Sequence, residues 1–150
     1  MQRRQFTEDH ELFRSAFRAF LEKEVVPHTD AWEHAGIVPR DVWTAAGAHG
    51  FLAFGVPEQY GGSGTEDFRF NQVVIEEICE ADVFAAATGF TLHNDVTLPY
   101  FLHYSTDEQK ARWLPGIASG ELITAVAMTE PGIGSDLASM ATTASGTGIA

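Results

Sequence analysis

The sequence predicts a mainly α protein: a helical bundle over residues 1–121, followed over 122–150 by the first, incomplete part of a β domain. Three observations carry this. Apolar residues recur at the three- and four-residue spacing of a helix face through most of the first 120 positions. Residues that start and stop helices, Thr, Pro and Gly, stand at the ends of those runs. At Leu122 the pattern changes: "LITAVAM" is a short apolar run with β-branched residues, as in a buried strand.

The first helix follows Thr7, an N-cap residue. Phe13, Phe17, Phe20 and Leu21 form its apolar face, and Pro27 is expected to end it. Pro39 suits the first position of a second helix, "PRDVWTAAGAHG", with Gly50 as its stop. "FLAFGVPEQYGGSG" reads as an extended apolar piece running into a glycine-rich loop. From about Glu66, the positions of Phe70, Val73, Val74, Glu77 and Ile78 give another helix face. Val83 to Tyr104 is a long apolar stretch, read as a buried helix entered after Asp82, which Pro99 must kink or break. Thr106 and Gln109 form a T-x-x-Q capping box. It opens a short helix that Pro115, Gly116 and Gly120 are expected to close. "LITAVAM" is then the first strand, and "MATTAS" the start of a second. No internal repeat or low-complexity tract interrupts this order.

Composition narrows the function. A chain of 150 residues, 45% hydrophobic and 20% charged, supports a core of its own. Nine basic against 21 acidic residues give a net charge of −12, which argues against non-specific nucleic-acid binding, since that requires cations to neutralise phosphates. The lone cysteine, Cys79, excludes an internal disulfide framework and suits a reducing compartment. No apolar run reaches the roughly 18 residues of a membrane span, and "MQRRQFTEDH" lacks the apolar core of a signal peptide. A cytoplasmic location is the expectation.

Most chemical candidates have a plain reading. The six histidines, His10, His28, His34, His49, His93 and His103, show no zinc spacing and read as surface or core residues. "GGSGT" at 61–65 falls short of a nucleophile elbow, because Thr65 stands where a glycine is required, so Ser63 reads as a loop serine. Glu76, Glu77, Glu80 and Asp82 read as a solvated helix face rather than a catalytic carboxylate pair. The segment "AMTEPGIGSD", residues 127–136, is different. It is neither a Rossmann fingerprint, since Leu137 takes the third glycine's place, nor a P-loop, since no lysine follows. Gly132 and Gly134 could turn backbone N–H groups toward one point as an anion nest. Thr129 and Ser135 would add hydroxyls, while Glu130 and Asp136 must turn outward or pair elsewhere. A plain Gly/Pro turn between two strands explains the spacing equally well.

"AMTEPGIGSD" resembles the T-E-P-x-x-G-S-D signature of the acyl-CoA dehydrogenase family. "VPEQYGGSG" resembles that family's P-E-x-Y-G-G loop, and "HNDVTLPYFLHYSTDEQKARWLPGIASGE" its helix pair leading into the signature. All three occur in the family's order and spacing, so the resemblance covers essentially the whole chain. It is nearest in motif to the long-chain branch.

The resemblance implies an N-terminal helical bundle ahead of a middle β domain, with a four-helix domain beyond. It implies FAD as cofactor. Val126, Ala127, Met128 and Thr129 would run beside the flavin ring, with Thr129 bonding its pyrimidine side. Gly134 and Ser135 would meet the pyrophosphate, and Ser135 would also approach the acyl-CoA substrate. Gly89 and Thr91 would lie near the deep end of an acyl channel, where Ala85, Ala86, Ala87 and Gly89 leave room for a tail. Close helix packing explains those small residues as well. The reaction implied is α,β-dehydrogenation of an acyl-CoA thioester, with electrons passed to an electron-transfer flavoprotein by a homo-oligomer, a dimer or homotetramer.

The resemblance places no catalytic residue here. The family's glutamate base belongs to the C-terminal helical domain, Glu130 is part of the signature instead, and the 150-residue chain alone is expected to be inactive. "ASGTGIA" departs from the family, which has a charged turn and a tryptophan-containing strand there. A truncated product, a sequence cut at its ordered part, and a half-length protein completed by a partner all remain open. So do a non-enzymatic helical interaction module, and an acyl-CoA oxidase or flavin monooxygenase on the same scaffold.

Overall fold

The computed structural model describes residues 5–143. Seven α-helices lie within them: α1 (Glu8–Phe20), α2 (Thr29–Ala35), α3 (Arg40–Ala48), α4 (Arg69–Glu80), α5 (Phe84–Thr91), α6 (Leu98–Tyr104) and α7 (Asp107–Ser119). The mainly α expectation holds. α1 packs on α4, α4 on α5, α3 on α7, and α6 on α7.

Thr7 is the N-cap of α1, and its backbone N–H donates to His10 Nδ1 at 3.2 Å. The phenylalanine face of α1 enters an aromatic core. Phe17 meets Phe51 at 5.0 Å and Phe13 meets Phe70 at 5.2 Å between ring centroids, both edge to face. Each such pair adds about 0.5–1.5 kcal/mol beyond area burial. Pro27 does not end the helical path as expected. The α-helix stops at Phe20, widens into a π turn over Leu21–Val25, and tightens into a 3₁₀ turn over Val26–His28. Pro27 therefore sits in the first turn of a new segment, where a missing N–H is harmless.

Pro39 is the N-cap of α3 rather than its first residue. Residues 51–56 then cross the interior without regular structure, with Phe51, Leu52, Ala53, Phe54 and Val56 buried. Such a segment needs partners for its backbone. Asn94 supplies them: its Oδ1 accepts from the Ala53 N–H at 2.7 Å, and its Nδ2 donates to the Phe51 carbonyl at 3.1 Å.

Pro99 interrupts the 83–104 stretch as anticipated, but through a π turn. α5 leads into a π turn over Leu92–Thr97, and α6 continues from it with Pro99 in its first turn. Proline lacks an N–H and crowds the carbonyl four residues back. The widened turn precedes that position, and the Thr97 hydroxyl lies 3.3 Å from the Leu92 carbonyl and 3.2 Å from that of His93.

The capping box opens α7: the Gln109 N–H donates to Thr106 Oγ1 at 3.3 Å, and the Thr106 N–H to Gln109 Oε1 at 2.9 Å. Pro115 and Gly116 do not close this helix, which runs to Ser119. Burial of Leu114, Ile117 and Ala118 on the same helix outweighs the bond lost at Pro115. Gly120 does close it, with φ +76°. A Cβ there would lie 2.2 Å from the Trp43 carbonyl oxygen, so only glycine fits.

The expected strands are absent among the described residues. "LITAVAM" and 140–143 form no ladder, and one isolated bridge joins Glu130 and Ile133. A strand depends on a paired neighbour, and none is present among the described residues. The last part of "MATTAS" and all of "ASGTGIA" lie outside the described residues.

Candidate functional site

The segment holding the candidate residues leaves α7 under firm control. After Gly120, the Leu122 N–H donates to the Gly116 carbonyl at 2.9 Å. Arg40 Nη2 donates to the Glu121 carbonyl. Thr124 is buried and Val126 half-buried, while Ile123, Ala125 and Ala127 are exposed. This alternation is that of a strand with one side against the core.

Thr124 is held by His93, which has no exposed surface. His93 Nε2 bonds the Ile117 carbonyl at 3.0 Å. A carbonyl only accepts, so Nε2 carries the proton and Nδ1 is a bare acceptor. Nδ1 faces Thr124 Oγ1 at 2.9 Å and the Thr124 N–H at 3.4 Å. Thr97 Oγ1 closes the group with a hydrogen bond to Thr124 Oγ1. Burial pushes the His93 imidazole below its ordinary value, the Ile117 bond opposing, which keeps the ring neutral.

Beyond Thr124 a run of backbone donors is left without partners among the described residues. The N–H groups of Val126, Ala127, Met128, Thr129, Gly134 and Ser135 have no partner among the described residues, and neither do the hydroxyls of Thr129 and Ser135. They are neutral donors on an exposed stretch, with the chemistry to bind carbonyl and phosphate oxygens of a flavin dinucleotide. The residues present therefore fit FAD by donor type.

The anion nest does not form. Neither Gly132 nor Gly134 adopts the left-handed backbone that such a nest uses. A Cβ at either position would meet nothing within 4 Å, so nothing crowds the loop. Both loop carboxylates are engaged. Glu130 accepts from the Thr142 N–H at 2.7 Å and the Ala141 N–H at 3.0 Å. Hydrogen bonds from Thr142, then Ala141, hold it below the usual carboxylate range. Asp136 accepts from Ser139 Oγ at 2.5 Å.

Gly89 and Thr91 lie on α5, and among the described residues no hydrogen bond joins them to 126–135. The Thr91 hydroxyl donates to the Thr88 carbonyl at 2.8 Å. The space beside Gly89 belongs to Trp43: a Cβ there would stand 2.9 Å from Trp43 Cζ2.

Sequence reasoning missed the polar group at the π turn, His93, Asn94 and Thr97, together with Thr124. A signal was available: "HNDVT" is a polar run inside an apolar stretch, just ahead of a proline. It also took Glu77 for part of a solvated face. Glu80 and Asp82 are exposed, but Glu77 is buried and bonded to Arg14 at 2.7 Å and Arg18 at 2.6 Å. Burial works to raise its carboxyl, and the bonds from Arg18 and Arg14 outweigh that and hold it low. No three His, Cys, Asp or Glu side chains gather as a metal site among the described residues.

The chain matches the family model described as acyl-CoA dehydrogenase, N-terminal domain, over residues 7–121. It is 42% identical over 146 residues to the mitochondrial long-chain specific acyl-CoA dehydrogenase of Mus musculus, covering 97% of this chain and 33% of that protein. Among solved structures, an acyl-CoA dehydrogenase from Geobacillus kaustophilus superposes with a TM-score of 0.85 at 49% identity, over 93% of this chain and 36% of that one. An acyl-CoA dehydrogenase from Bacillus anthracis, solved in complex with FAD, gives a TM-score of 0.71 at 26% identity, over 93% of this chain and 24% of that one. The chain thus spans about a third of the length of the curated relatives it matches.

Proposed function

Because the chain belongs to the acyl-CoA dehydrogenase family through its N-terminal domain, we propose that it serves as the N-terminal third of an FAD-dependent enzyme that introduces an α,β double bond into acyl-CoA thioesters. The observation that carries this is the run of unpartnered donors at Val126–Thr129 and Gly134–Ser135, in a signature segment that directly follows the matched domain. FAD, when bound, supplies the hydride acceptor for the reaction. The residues of this chain bind and orient it. Thr129 and the neighbouring amides would hold the pyrimidine side of the flavin, Gly134 and Ser135 would hold its pyrophosphate, and Ser135 would also bind acyl-CoA.

Both carboxylates of the signature segment are engaged, Asp136 with Ser139 Oγ. Glu130 is occupied by two backbone N–H groups, and Glu77 is tied to two arginines. The base is assigned, as the family resemblance implies, to a C-terminal helical domain beyond the matched N-terminal domain. Electrons leave to an electron-transfer flavoprotein, and the working form is a homo-oligomer. A preference for long acyl chains is supported by the long-chain specific relatives. It draws no support from Gly89, whose free space is taken by Trp43.

A dye-coupled assay with added FAD, across short to long acyl-CoAs, tests the proposal. The full-length protein is expected to turn over, best with long chains, and residues 1–150 alone are expected to give only background. Absence of turnover by the full-length protein with every acyl-CoA would overturn it, and so would turnover by residues 1–150 alone. Turnover requiring oxygen rather than the dye would mark an oxidase.

A further inference from the structure

His93 is buried, neutral and bonded at both ring nitrogens, yet it has no place in the chemistry above. Its two bonds join different parts of the chain. Nε2 is anchored on the Ile117 carbonyl in the last turns of α7, and Nδ1 reaches Thr124 twice, through Oγ1 and the backbone N–H. The π turn over Leu92–Thr97 places His93 there, and Thr97 binds the same threonine from the next turn.

Among the described residues, Thr124 is the last with a hydrogen bond before the run of free donors, and the next anchored one is Glu130. Residues 125–129 therefore hang between these two ties. In a strand-like segment, a slip of one residue turns every side chain to the opposite side. Thr124 and Val126 turn inward and Ala125 outward, and Ala127, Met128 and Thr129 are all exposed, so the tie at Thr124 sets the register with which residues 126–129 enter that exposed stretch.

We propose that His93 is a positioning residue for the flavin: through Thr124 it fixes the register in which residues 126–129 offer their donors. This rests on the FAD-binding reading. His93 touches no reacting atom, and its effect passes entirely through Thr124.

The test compares the full-length protein with its Thr124→Val and Thr124→Ser variants. Valine keeps the branched shape and loses the hydroxyl, while serine keeps the hydroxyl. The readouts are the FAD dissociation constant from flavin fluorescence, the visible circular dichroism of bound flavin, and the melting temperature of the apoprotein. Thr124→Val is expected to weaken FAD binding roughly 10–100-fold, the loss seen when outer hydrogen bonds are removed around bound metals, and to alter the flavin dichroism. Thr124→Ser is expected to restore both. If Thr124→Val lowers apoprotein melting but binds FAD within about twofold of wild type, with unchanged dichroism, the pair only packs the core and the proposal fails. If wild-type protein does not bind FAD, the flavin reading fails and this inference falls with it.

Discussion

Gly89 leaves room for the indole of Trp43, which is itself braced by Phe90 at 5.0 Å and His93 at 5.5 Å between ring centroids. A methyl group at position 89 has to displace that ring. Gly89→Ala is therefore expected to destabilise the chain by about 1–3 kcal/mol, as overpacking does. Thermal circular dichroism would show this as a melting temperature lower by several degrees. Unchanged melting together with a shifted acyl-length preference would instead assign the space to the substrate. At Glu77, removal of the carboxylate takes one partner from the mostly enclosed Arg14, which keeps Glu76 and Glu11, and takes its Glu77 bonds from Arg18. Glu77→Ala is expected to cost about 2–3 kcal/mol, below the usual figure for a broken buried pair because Arg18 is half exposed. Sequence showed a glutamate among glutamates. Its place on the helix face with Val73, Val74 and Ile78 pointed inward, but the two arginines some 60 positions earlier that pair with it are revealed by no local pattern.

Acid acts on two of these residues in the same direction. His93 and Glu77 both hold their protons less tightly in the fold than their ordinary values imply. The unfolded chain therefore takes up each proton first, and stability falls as pH drops. The His93 contribution is complete above about pH 6.5 and declines below it, and that of Glu77 starts to decline near pH 4.3. Melting temperature measured from pH 7.5 to 5 is expected to fall, and His93→Gln is expected to flatten that part of the profile. An unchanged slope in the variant would remove His93 as its source.

At the scale of elements, the sequence was most legible where the signal is local. The α7 capping box and the α1 aromatic face need only residues three or four apart, and both stand as read. Prolines were harder, because their effect depends on what the neighbouring turn can absorb. Pro27 and Pro99 each follow a π turn, and Pro115 sits inside a helix held by its buried face. The π turn before Pro99 also aims Asn94 at the irregular segment 51–56. Asn94→Leu would leave the Ala53 N–H and the Phe51 carbonyl without partners in the core. At about 1–3 kcal/mol per orphaned group, thermal melting should fall by roughly 5–20 °C. A loss under about 2 °C would show that other groups satisfy that backbone.

At the scale of the whole molecule, the expected strands are absent among the described residues, because a strand depends on a paired neighbour and none is present there. "LITAVAM" has the composition for one, and its burial alternates, but no ladder forms among the described residues. Tyr100 and Tyr104 on α6, with Leu122 and Ile123 beyond α7, are large apolar groups left exposed. The candidate flavin residues were found by the resemblance of "AMTEPGIGSD", since two glycines and a proline alone fit a plain turn. His93 and Thr124, which hold that segment in place, lie 31 positions apart and come together only through folding.

The central claim is that residues 126–135 form one wall of a flavin site whose remainder lies outside this chain. FAD content after reconstitution, measured by flavin absorbance on both the full-length protein and residues 1–150, tests it most directly. The account predicts about one flavin per full-length chain and little retained by residues 1–150. A full-length protein that stays colourless, or a 150-residue chain that binds FAD stoichiometrically, would contradict it.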